Sequence, residues 1–182
     1  MLLSDEYKQT LRDTHAKYEG RWGATACRHV YDIADVVRDA APATLLDYGS
    51  ADGKFKLQAR RRELMDEVEI YEYDPGYEDR EDGNIPCDFV LCVDVLEHIE
   101  PDYLDAVLAD IKRCTLDRCY LHIAMSPAKQ ILTDGRNAHL IVEDGTWWLA
   151  KLEPLFKTLD SNIVSMKHDT SIKTLRYYGE KL

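Results

Sequence analysis

Asp94, Glu97 and His98 stand at spacings i, i+3 and i+4, and a further histidine, His139, follows in a later polar stretch. If Asp94 opens a helical turn, the first three side chains project from one side of it. Two carboxylates and two imidazoles suit a hard or borderline divalent ion such as Mg²⁺, Mn²⁺ or Zn²⁺. The same groups suit a metal-free reaction with His98 or His139 as general base, because imidazole moves protons near neutral pH. In a plainer alternative, Glu97 and His98 cap helices or pair with each other, and Asp94 serves a ligand.

A second group of residues lies upstream. Thr44–Gly53 reads Thr-Leu-Leu-Asp-Tyr-Gly-Ser-Ala-Asp-Gly. A short buried strand ends in Asp47, a loop runs from Gly49 to Gly53, and Phe55 to Leu64 can form a helix. Strand, tight loop and helix open a βαβ unit, in which backbone N–H groups and a helix N-terminus face a ligand. The alternating run Val68–Tyr73 predicts a second strand. It ends in Asp74-Pro75-Gly76, 27 residues after Asp47, where an acid can accept two hydrogen bonds from ribose hydroxyls. The plain alternative is a turn-forming Asp ahead of a Pro.

These stretches resemble class I S-adenosylmethionine (SAM) dependent methyltransferases. Their first motif is an acid followed by Gly-x-Gly-x-Gly, and here Ala51 stands where the middle glycine is usual. Asp94-Val-Leu-Glu-His-Ile99 resembles the segment after the fourth strand of ubiquinone-biosynthesis-type O-methyltransferases. With His139, the Asp-x-x-Glu-His set is also similar to the metal-binding Glu-x-x-Glu-His plus His of small-RNA 3′-terminal 2′-O-methyltransferases. The resemblance implies SAM as cofactor, lined by Asp47, Gly49, Ser50, Ala51, Gly53, Asp74, Pro75, Val93 and Asp94. Asp47 would meet the methionine amino group. It implies catalysis by His98, His139 and Glu97, with Asp94, Glu97, His98 and His139 as the ligands if a divalent metal ion takes part.

The remaining elements must position these residues. Leu3, Tyr7 and Leu11 predict a first helix packing loosely on the body. Gly20-Arg21-Trp22-Gly23 breaks the chain, and Trp22 and Arg28 are candidate ligand contacts. Val30, Ile33, Ala34 and Val37 predict a helix ending near Ala40, since Pro42 restrains Ala41. Gly76 to Cys87 is an acidic, turn-rich stretch of about a dozen residues, too few for the helix and strand that a full methyltransferase places there, since a crossover alone needs about 10 to 12. The sheet is therefore expected one strand short, without the usual partner for adenine.

Phe89–Val93 is an uninterrupted apolar strand of a sheet covered on both faces. Pro101 opens a helix with Leu104, Val107, Leu108 and Ile111 on one face. Cys119–Met125 predicts another strand, in which His122 reads as a satisfied core histidine. His15, His29 and His168 show no partner in the sequence. Residues 126–146 form a long loop leaving a strand end, and Thr146 is placed to cap a helix starting at Trp147-Trp148. Residues 162–167 and 171–178 predict an antiparallel hairpin. The expected fold is α/β: a doubly wound, mostly parallel Rossmann-like methyltransferase sheet with an N-terminal helical cap and a C-terminal antiparallel hairpin. It forms a single domain over 1–182, with the cap at 1–40 and the core at 44–182.

Composition limits the function. At 182 residues the chain can bury a full core. A net charge of −11 argues against a nucleic-acid or anionic-membrane binder and favours a small-molecule acceptor. Arg60-Arg61-Arg62 reads as a solvated helix face. Five cysteines without a Cys-x-x-Cys pair predict free thiols in a reducing compartment. The early charges, Asp5 and Glu6, and the lack of a long apolar run predict a cytoplasmic protein. Nothing in the sequence sets the oligomeric state.

Overall fold

The computed structural model describes residues 1–18, 25–81, 83–166 and 169–182. Trp22 and His168 lie outside them. Helices α1 (Asp5–Lys17), α2 (Thr25–Arg28) and α3 (Val30–Ala40) precede β1 (Thr44–Tyr48) and α4 (Lys54–Arg61). Then come β2 (Glu69–Tyr73), β3 (Cys87–Val93), α5 (Leu104–Cys114), β4 (Thr115–Ala124), α6 (Gly145–Leu152), β5 (Phe156–Met166) and β6 (Asp169–Lys181).

The six strands form one sheet in the order β2-β1-β3-β4-β6-β5. β1 pairs in parallel with both β2 and β3, and β3 pairs in parallel with β4. β6 runs antiparallel to both β4 and β5. The chain leaves β1 for β2 on one side and returns to β3 on the other. Such a switch point opens a crevice beyond the carboxyl ends of the strands, here Tyr48 and Val93.

Each sheet face has its own core. Leu45, Ile70, Phe89 and Leu91 meet α3 and α4 on one face. Leu46, Val90, Cys92 and Leu121 meet α5 and α6 on the other. The α3 stripe reads from sequence as expected: Val30, Ile33, Ala34 and Val37 are all buried. Full burial of each larger side chain contributes roughly 1.5–3 kcal/mol. The helix stops because Ala41 turns left-handed (φ 47°) and its N–H bonds to the Val37 carbonyl.

Several expectations are corrected. The strand predicted at Cys119 starts at Thr115, and the hairpin strands reach out to Phe156 and Lys181. Asp144, not Thr146, caps α6, accepting from the Trp147 N–H. Helix α1 does not pack loosely. Tyr7 is buried and its hydroxyl donates to the His98 carbonyl at 2.5 Å. Ser4 binds the Glu100 carboxylate through both N–H and hydroxyl, and Lys8 and Arg12 reach Glu81 at 2.6 and 3.0 Å. The shortened segment does behave as expected: no described residue between Asp74 and Pro86 is in a helix or strand.

Candidate active site

β1 is buried from Leu45 onward, so it carries Asp47 into the core. Asp47 is 3% exposed, and its Oδ2 has no hydrogen-bond partner. Burial pushes its carboxyl pKa up to about 8; Glu72 and Asp74 push the same way, and Arg80 opposes them. The loop that follows is left-handed at Gly49 (φ 84°), Ala51 (φ 47°) and Gly53 (φ 75°). Ala51 thus keeps the backbone shape of the glycine it replaces, at a cost of about 1–2 kcal/mol.

The expectation that the loop N–H groups face a ligand is corrected. Gly49 and Ser50 donate to the Tyr73 carbonyl at 2.8 and 3.0 Å, and Gly53 donates to the Ser50 carbonyl. The Ala51 N–H donates to Asp74 Oδ2 at 2.8 Å, and Asp74 Oδ1 accepts from Gly76 at 2.8 Å. Asp74 therefore stitches the loop to the end of β2. Each of its oxygens keeps a second lone pair for a hydroxyl.

Gly49 also touches the segment that carries Asp94, Glu97 and His98. A Cβ there would lie 2.3 Å from Val95 Cγ2. Gly49→Ala combines that overlap with a positive φ. It is expected to destabilise the fold by on the order of 2–3 kcal/mol, read as a lowered urea midpoint with an unchanged slope.

Val93 ends β3, and Asp94 follows in a left-handed conformation (φ 53°). Leu96–His98 is a single 3-10 turn rather than an α-helical one. The i, i+3, i+4 register therefore fails at its first member. Asp94 turns aside, and its Oδ1 accepts from His122 Nδ1 at 2.7 Å. Glu97, His98 and His139 do come together, with one ligand atom of each within 4.8 Å of the others.

Each of these three is held by backbone. Glu97 is fully buried; its Oε1 accepts from the Ala124 N–H at 2.9 Å, and its Oε2 has no partner. Burial raises its carboxyl pKa well above the usual range, and Asp94 adds to the rise. His98 Nδ1 faces the Ala138 carbonyl at 2.7 Å, and His139 Nδ1 faces the Ser126 carbonyl. A carbonyl only accepts, so each Nδ1 carries a proton, and in the neutral ring the lone pair is on Nε2. This backbone-oriented tautomer is typical of metal-ligating histidines. Burial, then His139, lowers the His98 pKa to about 4, so the ring is neutral at pH 7.

A cavity of about 70 Å³ joins the two groups, with Gly49, Ala51, Asp74, Pro75, Val93, Asp94 and His98 on its walls. Leu3, just ahead of α1, and Tyr7, Leu11 and His15 on α1 line its other side. Sequence reasoning missed Tyr7, His15 and the Asp94–His122 pair. Only the pairing of β3 with β4, which sets Val93 beside His122, brings that last pair together. His29 also has partners, Asp32 at 3.6 Å and Arg176 at 3.5 Å. Arg28 is exposed and bonds Thr25. Arg60 donates to the carbonyls of Met65, Asp66 and Val68, and Trp148 is core.

The strand order, parallel centre and reversed hairpin define the class I methyltransferase fold, and solved structures agree. A 1,6-didemethyltoxoflavin N1-methyltransferase from Burkholderia thailandensis, with 1,6-didemethyltoxoflavin and S-adenosylhomocysteine bound, is 18% identical. The match has a TM-score of 0.63 and covers 97% of this chain and 89% of that one. An N-methyltransferase of Bradyrhizobium japonicum in complex with S-adenosylhomocysteine is 11% identical, with a TM-score of 0.61 over 97% and 99% of the two chains. The magnesium protoporphyrin IX methyltransferase of Synechocystis, also with S-adenosylhomocysteine, is 12% identical, with a TM-score of 0.57 over 98% and 95%. No protein-family model matches the chain, and no curated protein sequence does. None of the described helices is long and apolar enough to cross a membrane.

Proposed function

We propose that the protein is a SAM-dependent methyltransferase acting on a hydroxyl oxygen of a small-molecule acceptor. The observation that carries this is Asp47. A fully buried carboxyl with an unpartnered oxygen, beneath a left-handed loop at the switch point, is a site made for a cation. The ammonium of the SAM methionine moiety fits it. Asp74 offers its remaining lone pairs to the ribose, and Gly49, Ser50, Ala51, Gly53, Pro75, Val93 and Asp94 shape the rest.

The cofactor supplies a methyl group already activated by a sulfonium. What remains for the chain is to orient the acceptor and take its proton. Glu97, His98 and His139 suit that task at the end of the cavity where His98 stands. The unpartnered Glu97 Oε2 and the two imidazoles also fit a divalent ion, without Asp94, which is held by His122. Such an ion would lower the pKa of an acceptor hydroxyl. The small-molecule acceptors named for the Burkholderia and Synechocystis enzymes support this substrate class. A nucleic-acid acceptor is disfavoured by the net charge of −11 and by the use of Arg60 and Arg62 in local bonds.

Binding at Asp47 requires its carboxylate form. At pH 7 a carboxyl with a pKa of about 8 is mostly protonated, so S-adenosylhomocysteine is expected to expel close to one proton. Calorimetry in two buffers of different ionisation enthalpy reads this directly. Binding without proton release would remove Asp47 from the site, and no binding at all would overturn the proposed function.

A further inference from the structure

With no helix or strand among the described residues between Asp74 and Pro86, the wall beside the end of β2 is made by Pro75 to Arg80 and by α1. His15 is 9% exposed and lies against Gly76, where a Cβ would sit 3.0 Å from His15 Cδ2. The Tyr77 ring is 4.7 Å from the imidazole, and its hydroxyl is 3.3 Å from His15 Nδ1. Arg80 lies over the other partner of this stack, 5.4 Å from the Tyr77 ring, and donates to the Ala51 carbonyl at 2.8 Å. Imidazole, phenol and guanidinium thus run from α1 to the glycine loop. His15 lines the cavity over Asp74 and also an outer groove of about 650 Å³, bounded by Arg12, Tyr77, Glu78 and Asp79.

We infer that His15 and Tyr77 are the adenine-binding residues of this protein, doing in a loop and a helix what a third strand would do. The inference rests on the cofactor reading above. A ribose held at Asp74 carries its base one carbon away from the bonded hydroxyl. The base must therefore leave the small inner cavity beside Asp74, where His15 stands between cavity and groove. Gly76, lacking a Cβ, lets the His15 ring lie against the backbone beside Asp74. Imidazole and phenol are both faces on which a purine stacks. The exocyclic amine of adenine needs acceptors, which Glu78 and Asp79 provide, while a 6-oxo purine would meet them oxygen to oxygen.

The test is calorimetry of S-adenosylhomocysteine and S-inosylhomocysteine against the native chain, His15→Ala, His15→Phe and Tyr77→Ala, with thermal melts to verify folding. Base–aromatic stacking predicts roughly tenfold or greater weakening of S-adenosylhomocysteine in His15→Ala and Tyr77→Ala, and partial recovery in His15→Phe. The native chain should prefer the adenine ligand. Tyr77 lies in a half-exposed loop, so Tyr77→Ala keeps the test decisive if the His15 variants unfold. Native-like affinity in Tyr77→Ala and in every folded His15 variant overturns the inference and leaves the cofactor reading standing. No binding to the native chain overturns both.

Discussion

Asp47→Asn is expected to give a protein more stable than the native chain above pH 8 and unable to hold S-adenosylhomocysteine. The Asp47 pKa is raised in the folded state, from 3.8 to about 8. Between those values the native state binds more protons than the unfolded state, so its stability falls as pH rises and levels off above about 8. The asparagine has no such slope. Its advantage should grow through that window toward a ceiling of roughly 6 kcal/mol, at about 1.36 kcal/mol per pKa unit. Urea unfolding at pH 5.5 and 8.5 measures the difference between the two chains. That comparison also cancels the opposite slope of His98, whose lowered pKa makes stability fall as pH drops from 6.5 toward 4. A variant no more stable than the native chain at pH 8.5 would refute the buried-acid argument. One that still binds S-adenosylhomocysteine with native affinity would refute the ammonium site.

His139→Ala and Glu97→Gln should abolish turnover while sparing the cofactor. Losing a general base costs roughly 10²- to 10⁴-fold in rate. Neither residue lines the cavity over Asp74, so the affinity for S-adenosylhomocysteine should stay within a few-fold of native. His139 is half-buried, which makes its truncation the safer of the two. Once an acceptor is found, normal turnover in both variants would exclude the cluster from the chemistry. A chelator then divides the two modes of action. Loss of native activity, restored by Mn²⁺ or Mg²⁺, assigns Glu97, His98 and His139 to an ion; indifference assigns them to proton transfer alone. Because His98 is neutral above about pH 4, its own titration should add no acid limb in the usual histidine range.

What the sequence reveals here follows local period and local chemistry. The α3 stripe, the acid-then-glycine loop, the apolar β3 and the truncated segment after Asp74 all carry their signal within a few neighbouring residues. The site departs from the reading where distant pieces meet. The i, i+3, i+4 spacing places Asp94 beside Glu97 and His98, but its left-handed backbone and the register of β3 on β4 give it to His122. The hold of α1 rests on Tyr7 reaching His98, 91 residues away, and on Ser4 reaching Glu100. No periodicity in residues 1–18 announces those partners. His98 and His139 were paired from sequence only by chemical type, and what aligns them is a pair of backbone carbonyls, Ala138 and Ser126.

The fastening of α1 sets an order of events under the proposed chemistry. One helix lines the cofactor cavity, grips the carbonyl of His98 and is clasped to Glu78 and Glu81 by Lys8 and Arg12. If cofactor entry lifts that helix, the acceptor end is disturbed as well, because Tyr7 holds the His98 carbonyl. Steady-state kinetics would then be sequential and ordered, with the methyl donor first on and S-adenosylhomocysteine last off. The by-product would compete with the donor but not with the acceptor. Its departure, gated by ion pairs at the surface, would quicken as ionic strength rises.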